Sequence, residues 1–320
     1  MRNFRIKPAI ERLCMPRLST REIVLQAARG GLVVPAFNIP HLPMMEPIVE
    51  ALRDARAFGL IQVARLEWMK FKSGSLRAIR DAYEGCKDER FTRLHLDHVP
   101  VIDEDNLAVD VDAIIGEALA LGYESVMVDG SRLPLDGNIE ATVKVVRMAH
   151  RAGIPVEAEL GAVLGHESGP LPPYEELFRS GRGFTDPGEA KRFVAETGVD
   201  WLSVAVGNIH GAVSGAAKSA RKIEARINVG RLDLIREALG GVPLVLHGGS
   251  GIRKESILEG VRHGIAKINV GTTLRQAYES GMEVSSVEAR KRTASAATAV
   301  IRDELEMAGS AERLGTCPPG

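Results

Sequence analysis

Eight short apolar runs recur along the chain, and stretches with helical spacing lie between most of them. The runs occupy residues 32–37, 60–63, 94–96, 125–128, 155–158, 201–206, 242–246 and 266–270. Continuous apolar runs of this length are typical of strands that are buried on both faces of a parallel sheet. We therefore predict eight strands of a parallel sheet.

Apolar residues recur at helical spacing over 45–58, 111–121, 139–152, 187–197 and 232–239. Asp186 and Pro187 predict the start of one of these helices, and Gly198 predicts its end. Strands alternating with helices over about 240 residues predict a TIM (β/α)8 barrel. A doubly wound dinucleotide fold would need a G-x-G-x-x-G turn after the first strand, and residues 38–41 contain no glycine.

The predicted organisation is a single barrel domain over 1–320, with an N-terminal helical segment at 1–30 and C-terminal helices at 274–320. The chain carries 41 basic and 42 acidic side chains and only 4% aromatic residues. This balance argues against nucleic acid and anionic membranes as partners. The chain has no apolar run long enough for a membrane span. Three widely spaced cysteines predict a reduced, cytoplasmic setting.

Every predicted strand ends in a polar or ionisable residue. In a barrel these ends converge on the face that carries active sites. Strands also become polar where they leave the core, but that effect does not favour histidines and carboxylates over Lys, Ser and Thr. The residues are Asn38, Gln62, Asp97 with His98, Asp129, Glu159, His210, His247 and Asn269.

Three of these residues, His98, His210 and His247, each follow an apolar run. A catalytic zinc keeps three protein ligands and one open position, so these side chains are candidate ligands. No local spacing such as H-E-x-x-H supports the assignment, and a structural role for each histidine stays open. Because side chains alternate along a strand, His98 faces the same side as Asp97 only if the strand ends there.

Carboxylates and glycines add two further features. Glu157 and Glu159 lie two apart, hence on one face of strand five, and Asp129 ends strand four; each is a candidate metal ligand or a partner in a salt bridge across the barrel. Glycine-rich segments 247–251 and 269–273 follow strands seven and eight. Loops at these positions commonly bind phosphate in barrels.

These segments together resemble the class II, zinc-dependent ketose-bisphosphate aldolases, the group of fructose- and tagatose-bisphosphate aldolases. The resemblance covers nearly the whole chain. It is carried by residues 34–38, 95–98, 125–131, 156–161, 207–211, 246–251, 267–272 and 309–314.

The resemblance implies a role for each matching residue. Asp97 would be the acid/base at the C4 hydroxyl, and Glu167 would move a proton at the enediolate carbon. One catalytic Zn²⁺ and a second or displaced divalent ion would be bound by His98, His210, His247, Asp129 and Glu159. A monovalent cation would assist substrate binding. The substrate-binding positions would be Asn38, Gly211, Gly248, Gly249, Ser250, Asn269, Val270, Gly271 and Thr272.

The implied reaction is cleavage or formation of a ketose 1-phosphate or ketose 1,6-bisphosphate through a zinc-stabilised enediolate. The products would be dihydroxyacetone phosphate and an aldehyde, as in glycolysis, and the protein would form a homodimer or homotetramer. A divalent metal at the C2 oxygen makes a Schiff-base lysine unnecessary. Two alternatives stay open: a non-catalytic aldolase-like partner subunit, and a phosphate-binding barrel isomerase.

The sequence departs from the family at several positions around the expected substrate. Ala64 stands where the family usually has a phosphate-binding Ser, and Arg65 follows it. Arg132 stands where a His is common, and Leu164 replaces a Gly ahead of Glu167. Segments 168–183 and 214–229 are enlarged. These departures predict a substrate other than plain fructose 1,6-bisphosphate.

Overall fold

The computed structural model describes residues 17–161, 173–208, 225–249 and 251–318, and within them eight parallel strands close into a barrel. Each strand pairs with its neighbours in the chain, and the last strand pairs with the first. The predicted TIM (β/α)8 barrel is confirmed. The strands are β1 Val34–Asn38, β2 Gly59–Ala64, β3 Thr92–Pro100, β4 Ser125–Asp129, β5 Val156–Leu160, β6 Trp201–Val204, β7 Leu244–Leu246 and β8 Ile265–Val270.

Helices surround the barrel and bury the outer faces of the strands, which is why the strands are apolar on both sides. The five helices predicted from the pattern are all present, with bounds shifted by a few residues. The helices are α1 Thr20–Gly30, α2 Met45–Asp54, α3 Arg65–Lys70, α4 Leu76–Cys86, α5 Val111–Ala120, α6 Leu135–Arg151, α7 Tyr174–Ser180, α8 Pro187–Thr197, α9 Val229–Leu239, α10 Lys254–Arg262, α11 Thr272–Met282, α12 Ser286–Ala299 and α13 Ser310–Arg313.

Helix boundaries follow local capping chemistry. The Asp186 carboxylate accepts hydrogen bonds from two backbone N–H groups at the start of α8, and Gly198 ends this helix at a φ of 67°. Both ends agree with the prediction. At α1, the Ser19 side chain and the Glu22 carboxylate cap each other's backbone N–H groups, which forms a capping box.

The helices near the two ends of the chain pack against the barrel and against helices that surround it. Helix α1 contacts β8, and α12 packs against both α11 and α2. Nη2 of Arg290 on α12 lies 2.6 Å from Oε2 of Glu46 on α2. Part of the predicted segment 1–30 lies outside the described residues, so the division of the chain into one domain with two helical segments stays a prediction. Within the described ranges, no helix is long and apolar enough to cross a membrane.

Strand β3 differs from the prediction at His98. We expected His98 to reach the site because the strand would end there, but the strand continues to Pro100. The pairing of β3 with β4 instead shifts register between Leu96 and Val99, and His98 adopts a φ of 30°. A β-bulge re-aims side chains locally. The bulge therefore turns His98 to the same side as Asp97.

Candidate active site

The carboxyl ends of the strands bring seven of the predicted site residues into one connected group of contacts: Asn38, Asp97, His98, Asp129, Glu159, His247 and Asn269. The imidazole rings of His98 and His247 have their centroids 4.5 Å apart and an interplanar angle of 69°. One ligand atom each from Asp97, His98 and His247 lies within 4.8 Å of the others. A second such set consists of His98, Asp129 and Glu159. The two sets share His98, so they describe neighbouring positions for a cation.

Carboxylates surround both imidazole rings. Nδ1 of His98 lies 3.2 Å from Oδ2 of Asp129. Nδ1 of His247 lies 3.1 Å from Oε2 of Glu159, and its Nε2 lies 2.7 Å from Oε1 of Glu157. Histidine ligands of metals commonly bond to a carboxylate through the second ring nitrogen, which fixes the ring orientation. The His247–Glu157 pair has this arrangement.

The electrostatic potential at this site favours positive charge. Burial lowers the pKa of His98, but Asp97, Asp129 and Glu159 together outweigh it and raise this pKa to about 10. Burial and the nearby His98 lower the pKa of His247, while Glu157 and Glu159 raise it, and the net direction is upward. Because the same carboxylates that stabilise a proton also stabilise a cation, this donor set fits a divalent metal such as Zn²⁺.

Asp97 lies beside this cluster and is buried, with an exposed fraction of 1%. Three amides donate to its carboxylate: Asn38 and Gln62 to Oδ2 at 3.2 Å, and Asn269 to both oxygens at 3.0 and 3.1 Å. Burial raises the pKa of Asp97, but the positive charges of His98 and Lys267 outweigh burial and lower it. Asp97 is therefore an ionised carboxylate that can accept a proton.

The barrel interior below Asp97 holds a second polar layer. It contains Glu157, which the sequence offered as a metal ligand or as a partner in a salt bridge across the barrel, and residues that were not predicted for the site. The Lys267 ammonium lies 2.9 Å from Oε2 of Glu157, and the Trp201 indole donates to the same oxygen at 2.6 Å. His95 contacts the Ser125 hydroxyl through Nδ1 at 2.8 Å. A lysine inside an apolar run was the available signal, because a buried ammonium needs a carboxylate partner.

The predicted phosphate loops lie beside this group. Gly248 has a φ of 66°, and a Cβ added to Gly249 would lie 2.8 Å from the side chain of Ile268. Only glycine therefore allows the loop to pack this closely. Helix α11 follows β8 directly and has Gly271 at its N-cap. Its N-terminal N–H groups can bind an anion.

Sequence comparison matches residues 18–313 to the family described as "Fructose-bisphosphate aldolase class-II". The chain belongs to this family. It is 33% identical over 261 residues to a fructose-bisphosphate aldolase of Staphylococcus epidermidis, which covers 81% of this chain and 82% of that protein. The predicted membership of the class II aldolases, which are metal-dependent aldehyde-lyases, is confirmed.

Solved structures agree with this assignment. The YdjI aldolase from Escherichia coli K12 superimposes with a TM-score of 0.71 at 27% identity, over 91% of this chain and 98% of that one. A fructose-bisphosphate aldolase from Campylobacter jejuni has a TM-score of 0.69 at 18% identity, over 91% and 96% of the two chains, and shares the fold.

Four predicted residues of this class II aldolase lie outside the described part of the chain. The metal-ligand prediction for His210 and the proton-transfer prediction for Glu167 belong to this group. So do the substrate-binding predictions for Gly211 and Ser250. Their roles stay predictions that follow from the family resemblance.

Three of the departures from the family pattern, Ala64, Arg65 and Arg132, lie at the rim between β2, β3 and β4, whereas Leu164 and parts of the two enlarged segments lie outside the described residues. Ala64 pairs with Asp97 in the sheet, and Arg65 follows it as the first residue of α3. The guanidinium groups of Arg65 and Arg132 both reach Asp103, the first at its carboxylate (3.4 Å) and the second at its carbonyl oxygen (2.9 Å). Arg65 thus pairs with the carboxylate of Asp103, while Arg132 donates to the backbone of the same residue.

Proposed function

We propose that the protein is a class II aldolase that cleaves a ketose 1-phosphate or ketose 1,6-bisphosphate into dihydroxyacetone phosphate and an aldehyde. The observation that carries this proposal is the Asp97 carboxylate, which three amides hold beside the His98 and His247 rings. This arrangement places a base next to a cation site, which is what scission of a carbon–carbon bond beside a carbonyl requires.

His98 and His247, together with His210, would hold the catalytic Zn²⁺. When bound, the ion supplies Lewis-acid stabilisation of the negative charge that develops on the substrate as the C3–C4 bond breaks. Asp129 and Glu159 would form the second or displaced divalent position. Their distances to His98 and His247 support this assignment.

Asp97 would remove the proton from the C4 hydroxyl as the bond breaks. Its lowered pKa keeps it ionised at neutral pH, so it enters the reaction as a base. The Asn38, Gln62 and Asn269 amides fix the direction of its oxygens. Glu167 would return a proton at the carbon on the other side of the broken bond.

The phosphate on C1 would bind to the loops after β7 and β8. Backbone N–H groups of Gly248, Gly249 and the start of α11 would provide donors. Asn269, Val270, Gly271 and Thr272 lie at the carboxyl end of β8 and the start of α11, and the binding role of Ser250 follows from the family resemblance. A monovalent cation would assist there. The homodimer or homotetramer and the cytoplasmic location are further parts of this proposal.

At the far end of the substrate, the replacement of the family Ser by Ala64 removes one hydroxyl donor. Arg65 and Arg132 instead offer guanidinium groups at the rim. We therefore propose that the aldehyde half of the substrate carries an anionic group. We also propose that the preferred substrate is not fructose 1,6-bisphosphate. Cleavage rates across a panel of ketose 1-phosphates and 1,6-bisphosphates test this proposal, and a clear preference for fructose 1,6-bisphosphate would contradict it.

The decisive experiment on the reaction is Asp97→Asn in the zinc-loaded protein. We expect the turnover number to fall about 10²- to 10⁴-fold, because general-base catalysis contributes on that scale. Asp233→Asn, an equally isosteric change on the outer helix α9, is the control and should retain full activity. Near-native turnover of Asp97→Asn with zinc bound would refute the role of Asp97.

Metal analysis separates this proposal from the two alternatives. About one zinc per chain together with scission of a ketose phosphate supports the aldolase. A partner subunit would contain no zinc and would not cleave the sugar phosphate. An isomerase would convert the sugar phosphate without releasing an aldehyde. The presence of Asp97, His98 and His247 in one cluster favours the enzyme over the partner subunit.

A further inference from the structure

Lys267 is a fully buried ammonium inside the barrel, and the proposed reaction does not use it directly. Its side chain has an exposed fraction of 0%. Nζ lies 2.7 Å from Oδ1 of Asn269, 2.9 Å from Oε2 of Glu157 and 3.9 Å from Oδ1 of Asp97. It therefore stands between the proposed base and the carboxylate that contacts His247.

The contact with Asn269 determines how that amide is oriented. An ammonium group has only donors, so it can bond only to the amide oxygen of Asn269. The amide nitrogen must then point the opposite way, where it lies 3.0 and 3.1 Å from the two oxygens of Asp97. A flipped amide would bring its oxygen against the Asp97 carboxylate and lose the bond to Lys267.

The contact with Glu157 extends to the cation site. Glu157 receives bonds from Lys267 and Trp201 at Oε2, while its Oε1 lies 2.7 Å from Nε2 of His247. All these groups are buried, and a buried carboxylate without a compensating charge is strongly unfavourable. The positive charge of Lys267 therefore stabilises Glu157 in its ionised form.

We propose that Lys267 is a positioning residue that fixes the Asn269 amide toward Asp97 while it neutralises Glu157. The inference rests on the proposed function, because it assigns Lys267 an effect on the base of that reaction. Lys267 acts through Asn269 and does not touch the substrate. Without the Lys267 ammonium, the Asn269 amide can turn away from Asp97. The ionised Asp97 carboxylate then loses a hydrogen-bond donor.

The test is a mutant cycle on the zinc-loaded protein with Lys267→Met and Asn269→Ala, singly and together. We expect a loss of about 10- to 100-fold in the turnover number for Lys267→Met, which corresponds to about 1.4–2.7 kcal/mol and matches the contribution of a hydrogen bond to a charged group. We expect KM for Lys267→Met to change no more than KM for Asn269→Ala, because Lys267 acts on the substrate through Asn269, a predicted substrate-binding position. We expect the double variant to lose no more than the worse single variant.

Two measurements that do not depend on turnover accompany the cycle. A crystal structure of Lys267→Met should show the Asn269 amide displaced from Asp97, and chelator competition measures the zinc affinity so that turnover numbers are compared at full zinc occupancy. If Lys267→Met does not fold, Lys267→Met combined with Glu157→Gln removes both charges of the pair and takes its place in the cycle. Lys144→Met on the exposed face of α6 is the control and should change nothing.

Turnover within threefold of normal, additive losses in the cycle, or recovery of turnover by excess zinc would each overturn the inference. An undisplaced Asn269 in the variant structure would also overturn it. If the unmodified protein cleaves no ketose phosphate, the proposed function fails instead, and the Asn269 displacement still decides the positioning role.

Discussion

Glu67 carries a pH-dependent contribution to stability that can be measured directly. This carboxylate lies on the first turn of α3 with an exposed fraction of 8%, and it accepts a hydrogen bond from the Ala64 N–H at 2.8 Å. Burial raises the pKa of Glu67 to about 8, against an ordinary value of 4.5; the nearby charge of Asp97 acts in the same direction, and the Ala64 bond opposes it. At neutral pH the group is therefore mostly protonated.

The sign of the effect follows from this raised pKa. A carboxyl group whose pKa is higher in the folded state binds more protons in that state. Its contribution to the unfolding free energy is therefore fully present below the pKa of the unfolded chain and is lost as the pH rises to about 8. The difference of about 3.5 pKa units corresponds to about 5 kcal/mol at about 1.4 kcal/mol per unit. This loss occurs between about pH 4.5 and pH 8.

Glu67→Gln keeps an acceptor for the Ala64 N–H but cannot ionise. Relative to the unmodified protein, we expect the variant to gain about 3–5 kcal/mol in unfolding free energy between pH 4.5 and pH 9. Urea unfolding followed by tryptophan fluorescence at a series of pH values measures this difference. Glu140→Gln, on the exposed face of α6, is the matched control and should follow the unmodified protein at every pH. Parallel stability curves for Glu67→Gln and the unmodified protein would refute the reasoning.

Three further outcomes are expected. Gly130→Ala should lower the unfolding free energy by about 2–4 kcal/mol in urea titrations, because its Cβ would lie 2.3 Å from the Asn138 amide oxygen; Gly137→Ala, whose Cβ would make only ordinary contacts in α6, should be neutral or stabilising. A strong chelator should abolish ketose phosphate cleavage, and added Zn²⁺ should restore it; cleavage that survives metal removal would contradict the metal site. Arg65→Ala should reduce kcat/KM about 10-fold or more for a ketose 1,6-bisphosphate and less than threefold for the matching 1-phosphate, since a charge-assisted contact to the distal phosphate is lost; equal losses on both substrates would rule out that contact.

The apolar pattern predicts the barrel well because every strand is buried on two faces. The run at 266–270 coincides with β8 apart from one residue, and the Asp186–Pro187 and Gly198 signals match both ends of α8. Helices α3 and α4 were not predicted. Helix α3 has six residues and packs against β3, so tertiary contacts decide its structure. Helix α4 has 11 residues and Ser75 as its N-cap, so its signals were present in the sequence and were passed over.

The candidate site was predicted in part, for a different reason. Residues at strand ends are visible in a sequence because a polar group interrupts an apolar run, which is how Asp97, Asp129 and Glu159 were found. The bulge that turns His98 was not visible, because it depends on how β3 pairs with β4 and not on the residues of β3 alone. Lys267 was passed over because it lies inside an apolar run.

The two parts of the site differ in how they are built, and the departures at Ala64, Arg65 and Arg132 lie in the outer part. Asp97, Glu157 and Lys267 lie on strands, are buried, and share partners, so a change in one leaves a charge or donor unsatisfied in the others. Arg65 and Arg132 lie at the rim, where Arg65 contacts the Asp103 carboxylate and Arg132 contacts the Asp103 carbonyl oxygen and the Asn106 side chain. The aldehyde half that we propose can therefore be accommodated at the rim without disturbing the base and the cation site. At the base and the cation site this chain keeps the residues of its family.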